Sequence, residues 1–151
     1  MKNMPSDTTT DAWIMLHRAN RKLLEEVGSA LKRNDLPPLD WYDILLELRR
    51  AGDEGLRQFA IGQKVLLAKH NLSRLIDRLE KQGLVQRETS SEDGRGNIVK
   101  ITDAGRALLK RVWPVYGQSI QREFGDKLSE AESKALTRLL GKIMAERPVD
   151  S

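Results

Sequence analysis

The 151-residue chain has no cysteine and only two histidines. Without cysteine there can be no disulfide, thiol redox sensor, thiolate-bound zinc or cysteine nucleophile, and the composition suits a reducing compartment, so a cytoplasmic location is expected. His17 and His70 lie far apart with no ligand-spaced partner, so no metal is expected. Aromatic residues make up 5% of the chain, and none forms a stacking platform beside a basic face, which disfavours RNA as the ligand. No apolar run approaches the roughly 20 residues needed to cross a bilayer, and Met1 to Asp11 is polar without a signal-like apolar stretch, so no membrane association is expected. Gly-rich phosphate loops, nucleophile elbows and convincing carboxylate pairs are missing as well. Catalysis therefore has no machinery here, and no cofactor is implied.

What is present is charge, unevenly spread. The net charge is only +4, but residues 1–56 hold 8 basic and 10 acidic side chains, residues 57–106 hold 10 and 6, and residues 107–151 hold 8 and 6. The positive excess peaks in the middle segment, as attraction to phosphate requires, although an ordinary solvated surface also fits values of this size.

That segment carries the clearest pattern. Leu72, Leu75, Ile76 and Leu79 recur at helical spacing, while His70, Arg74 and Lys81 fall on the opposite face. Gly83 stops the helix. Strands over 84–88 and 97–101 follow, joined by a polar loop in which Arg95 sits between Gly94 and Gly96. A helix that packs by one face and reads by the other, followed by a hairpin, is a winged helix-turn-helix.

The flanks are helical. An amphipathic helix is expected from about Asp11 to Arg33, with Gly28 marking a bend or close contact, after a disordered leader over residues 1–10. Pro37-Pro38 ends it, and Asp40 reads as the cap of a second helix over Trp41–Arg50. A short helix over Gln58–Val65, the first helix of the helix-turn-helix, offers Phe59, Ala60 and Val65 as residues facing the core. Thr102 caps a helix from Asp103 to about Phe124, with a kink expected at Pro114, and Ser129 to Glu132 is a capping box opening the last helix, through Met144. The fold class is thus mainly α with a small β wing. Residues 38–102 form the winged helix-turn-helix domain, and residues 11–36 and 103–147 form a helical dimerisation region. Their apolar faces exceed what a small winged domain covers, so they pair either within one chain as a bundle or between two chains as a C2 homodimer, the preferred reading.

This order of segments resembles the MarR family of bacterial transcription regulators over nearly the whole chain. Carrying the resemblance are Leu72 to Val85, the Asp93-Gly94-Arg95-Gly96 wing, Ile101 to Gly105 and the closing helix from Leu128 to Leu140. It implies an obligate dimer, major-groove reading by the helix, minor-groove insertion by the wing, and release from DNA on binding a small-molecule effector. Arg74 then matches the recognition-helix arginine that reaches base edges, and Arg95 the wing-tip arginine. The chain departs from the family at Arg57 and Ala68, where a capping Ser or Thr is common, which puts a cap-mediated phosphate contact in doubt.

The DNA-binding candidates are Lys69, His70, Asn71, Ser73, Arg74, Arg78 and Arg95. Arg74 can fork onto guanine O6 and N7 or pair with Asp77. Asn71 suits adenine, and Lys69, His70 and Ser73 sit in the turns that approach DNA. Asp77 would repel phosphate and is expected to orient Arg74 or Lys81. Arg95 suits a narrow minor groove, with Asp93 placed to hold it. The expected partner is double-stranded DNA with an imperfect palindrome. The alternative is a winged-helix module for protein contacts alone. Trp13, His17, Trp41, Tyr42, Trp113 and Tyr116 lie on helices that, in the family, surround an effector pocket; each serves equally as core filling.

Overall fold

In the computed structural model, which describes residues 3–66, 71–89 and 97–145, the first helix starts earlier than the polar leader suggests. α1 spans Asp7–Arg33. The Ser6 hydroxyl accepts the Thr9 N–H at 3.1 Å, capping a turn whose Asp7 carboxylate lies at the positive end of the helix. The leader expected over residues 1–10 is therefore helical from Asp7. Nothing lies within 4 Å of where a Gly28 Cβ would stand, so of the two alternatives at Gly28, a bend or a close contact, the contact does not occur.

α2 spans Leu39–Ala51. Its N-cap is Pro38, with φ −56° and ψ 152° and no side-chain cap, because proline's fixed φ already sets the chain to enter a helix. Asp40, expected as the cap, instead sits inside the first turn, and its Oδ1 is buried without a hydrogen-bond partner. A 3-10 turn over Gly52–Glu54 leads to β1 (Leu56–Arg57) and α3 (Gln58–Lys64). The helical phase of α3 is set by Ile61 and the following Val65, both buried. Phe59 stands roughly 200° around the helix from Ile61, and it is 78% exposed rather than in the core.

α4 spans Leu72–Lys81 and buries Leu75, Ile76 and Leu79. It ends in a Schellman turn: the Leu84 N–H donates to Leu79 O and the Gly83 N–H to Glu80 O, both at 2.9 Å, around Gly83 at φ +73°. Leu84 is thereby drawn into the core, and β2 begins one residue later than expected, covering Val85–Thr89. β3 (Asn97–Ile101) lies between its two antiparallel neighbours in the order β1-β3-β2, with Leu56 opposite Val99 and Val85 opposite Ile101. Thr102 then ties this sheet to α5 (Asp103–Glu123). Its hydroxyl donates to Gly83 O at 2.6 Å and accepts the Gly105 N–H at 3.1 Å. α5 passes Pro114 without a break. After a 3-10 turn over Gly125–Lys127, the expected capping box of Ser129 and Glu132 opens α6 (Glu130–Met144).

The chain divides into two compact units, one made of Val27–Tyr116, the other of the chain up to Glu26 with the chain from Gly117. The first holds the hydrophobic core, in which Ile44, Leu45, Leu48, Ile76, Leu79 and Leu109 are almost fully buried. It reaches beyond residues 38–102 because the end of α1, through Val27 and Leu31, and the start of α5, through Leu109 and Val112, pack into the same core. The second unit has almost no interior: Ser119 is its only buried residue among the described ones.

Candidate nucleic-acid interface

The burial of Leu75, Ile76 and Leu79 fixes which face of α4 meets solvent. Ser73, Arg74, Asp77, Arg78 and Lys81 are all exposed on it. Asn71 caps the helix in the left-handed region, at φ 60° and ψ 28°, without a side-chain cap bond, a conformation that asparagine tolerates better than most residues. Its carbonyl accepts the Leu75 N–H at 3.0 Å, so its exposed side chain stands at the mouth of the helix. Lys69, His70 and Arg95, with Asp93, lie outside the described residues.

Asp77 does not orient Arg74 or Lys81. Its Oδ1 lies 2.6 Å from Nη1 of Arg87 on β2, and the same nitrogen lies 3.2 Å from Glu80 Oε1. Glu80 Oε2 also accepts the Arg87 backbone N–H at 3.1 Å. One guanidinium, its side chain only 19% exposed, thus takes up both acids of the helix and fastens the base of the hairpin to it. Sequence reading missed this residue. Asp77 and Glu80, three apart on one face, were the signal that a cation had to come from the next element. Because Asp77 is engaged elsewhere, Arg74 has no ion-pair partner among the described residues and its fork remains open for an acceptor.

The structure separates the six aromatic candidates. Tyr42, Tyr116 and Trp113 come together in the core-bearing unit, Tyr42 edge-on to Tyr116 with centroids 5.2 Å apart and Trp113 5.9 Å from Tyr116. Trp41 packs, half-buried, against the core. Trp13 and His17 belong to the other unit and contact each other at 4.4 Å. Beside the first trio α2 and α5 enclose a groove of about 430 Å³, in which Arg49, Arg50 and Lys110 face Tyr42, Leu109 and Trp113. Burial pushes both phenols up, opposed at Tyr42 by Arg49 and Arg50 and reinforced at Tyr116 by Tyr42 and Asp43. Both hydroxyls therefore stay protonated at neutral pH and can donate.

Among the described residues no group of three or more metal-ligating side chains occurs, and no helix is long and apolar enough to cross a membrane.

A family model described as MarR family matches residues 34–96. The chain is 31% identical over 131 residues to the HTH-type transcriptional regulator MhqR of Bacillus subtilis (strain 168), covering 87% of this chain and 88% of the relative. Its fold is similar to that of AbsC, a MarR family transcriptional regulator from Streptomyces coelicolor, with a TM-score of 0.79, 28% identity, and 95% and 96% of the two chains covered. A mutant MarR from E. coli, solved with operator DNA, is similar with a TM-score of 0.72 and 26% identity, covering 87% of this chain and 91% of that one. These proteins are transcriptional regulators, not enzymes.

Proposed function

The chain belongs to the MarR family of DNA-binding transcriptional regulators, and from that footing we propose that it is a homodimeric repressor that reads an imperfect palindrome and lets go when a small aromatic anion binds. The observation that carries the reading is the exposed face of α4, where Arg74 is unpaired among the described residues while Arg87 takes up Asp77 and Glu80. One cation thereby offsets part of the charge of two carboxylates that would repel phosphate, and the exposed fork of Arg74 is matched to guanine O6 and N7. Ser73 and Arg78 serve beside it, with Asn71 at the helix mouth, and Lys69, His70 and Arg95 complete the contact set.

Dimerisation is supported by what the terminal unit leaves uncovered. Trp13 and Met15 of α1 are each 64% exposed and Ile143 of α6 is 70% exposed, an apolar surface of the kind a second copy covers. Two chains related by a twofold axis place their recognition helices in successive major grooves about 10 base pairs apart. The groove between α2 and α5 has a volume in the range of small-molecule sites. Its aromatic wall suits a ring, and Arg49, Arg50 and Lys110 suit an anionic group on that ring.

Selection of genomic fragments by the purified full chain tests the reading. Enrichment of a few sites sharing inverted half-sites is expected. Equal recovery of all fragments would leave a protein-contact module as the better description.

A further inference from the structure

A partly buried hydrogen bond ties α2, one wall of the groove, to the chain just beyond α3. Asp43 follows Tyr42 on α2 and is buried, and its Oδ1 accepts the backbone N–H of Leu66 at 3.0 Å. Leu66 is the first residue beyond Val65, which ends α3, and from it the chain runs on to Asn71 and α4. Its side chain is 79% exposed, so side-chain packing does little to hold the chain at this point. A charged acceptor in a desolvated setting holds an N–H more firmly than a neutral one. The bond from Asp43 therefore adds to the hold that the buried Val65 gives the chain here.

Tyr42 and Leu46 wall the groove on one side. They also line a second, small cleft of about 50 Å³, whose remaining walls include Asp43, Leu66 and Tyr116. This cleft leaves the Tyr42 ring unpacked on part of its surface, with room to shift when the groove fills. A shift of Tyr42 bears on its neighbour Asp43, and Asp43 holds Leu66.

We infer that Asp43 is a positioning residue for DNA reading: its bond to Leu66 sets where the chain enters the recognition helix, and it is the route by which groove contents alter that placement. The inference rests on the regulator reading above, and coupling through such a route is established only by double-substitution cycles.

The experiment measures dissociation constants of the full-length chain for a selected operator fragment and for unrelated DNA. Asp43→Leu removes the acceptor and Leu66→Pro removes the donor. Each is expected to weaken operator binding about 10-fold or more while binding to unrelated DNA is unchanged, and the double variant is expected to be no worse than the poorer single. Asp43→Asn, which keeps a carbonyl acceptor, should restore most of the affinity. Leu46→Trp, a stand-in for a groove occupant, should weaken operator binding in the wild-type background and much less beside Leu66→Pro. That last pair decides the matter even if Asp43→Leu does not fold. Losses that simply multiply, or operator affinity untouched by breaking the bond, would overturn the inference and leave the regulator reading standing. A wild-type chain that prefers no fragment would sink both.

Discussion

Arg74 and Arg87 put the same side chain to opposite uses. Arg87 is withdrawn against two carboxylates, one of which also accepts its backbone N–H, so its planar guanidinium serves two acceptors at once. Arg74 is exposed and has no ion-pair partner among the described residues. Arg74→Ala is accordingly expected to cost operator binding about 1–3 kcal/mol and to relax preference at one base position. Arg95→Ala is expected to weaken operator binding and to reduce the slope of log affinity against log salt by about 1. Titrations of both variants over a salt series check this. Unchanged slopes and affinities would assign these arginines to a solvated surface.

Among the elements, those set by local rules were the legible ones. The stripe of Leu72, Leu75, Ile76 and Leu79, the stop at Gly83, the Thr102 cap and the Ser129–Glu132 box each depend on residues within one turn of each other, and the structure has all of them. β1 was not legible, because two residues carry no periodicity and the strand exists only through pairing with Val99 and Ile98, far along the chain. Arg87 was hidden for a similar reason: its acids lie on another element. Phe59 misled because hydrophobicity alone argued for burial, whereas Ile61, together with the expected Val65, sets the helical phase. Of the candidate interface, the described part of α4 was legible residue by residue, but the partner of Asp77 was not. Gly55 shows how narrowly β1 is placed. It has φ +68° and ψ −170°, a region open essentially to glycine, and an added Cβ would stand 2.5 Å from Val99 O and 2.7 Å from Ile98 Cγ2. Gly55→Ala should destabilise the chain by about 3 kcal/mol. Denaturant titration measures this, and a loss well under 1 kcal/mol would mean β1 has freedom to move.

Taken whole, the molecule joins a unit with a full core to one with almost no interior among the described residues, and the dimer proposed above would cover the apolar residues of the second. Ile143→Glu puts a charge on the α6 surface that a partner would have to desolvate. Sedimentation should then show a shift from dimer toward monomer, together with loss of operator binding and little loss of helix content. A variant that stays dimeric would move the contact elsewhere. Twofold presentation of two α4 faces to one duplex makes the most exposed claim, and half-site spacing tests it directly. Affinity measured on synthetic operators whose half-site centres are moved apart in single base-pair steps should peak once near 10 base pairs and collapse when about 5 more turn one half-site to the far side of the duplex. Affinity indifferent to spacing, or equal for one isolated half-site, would contradict it.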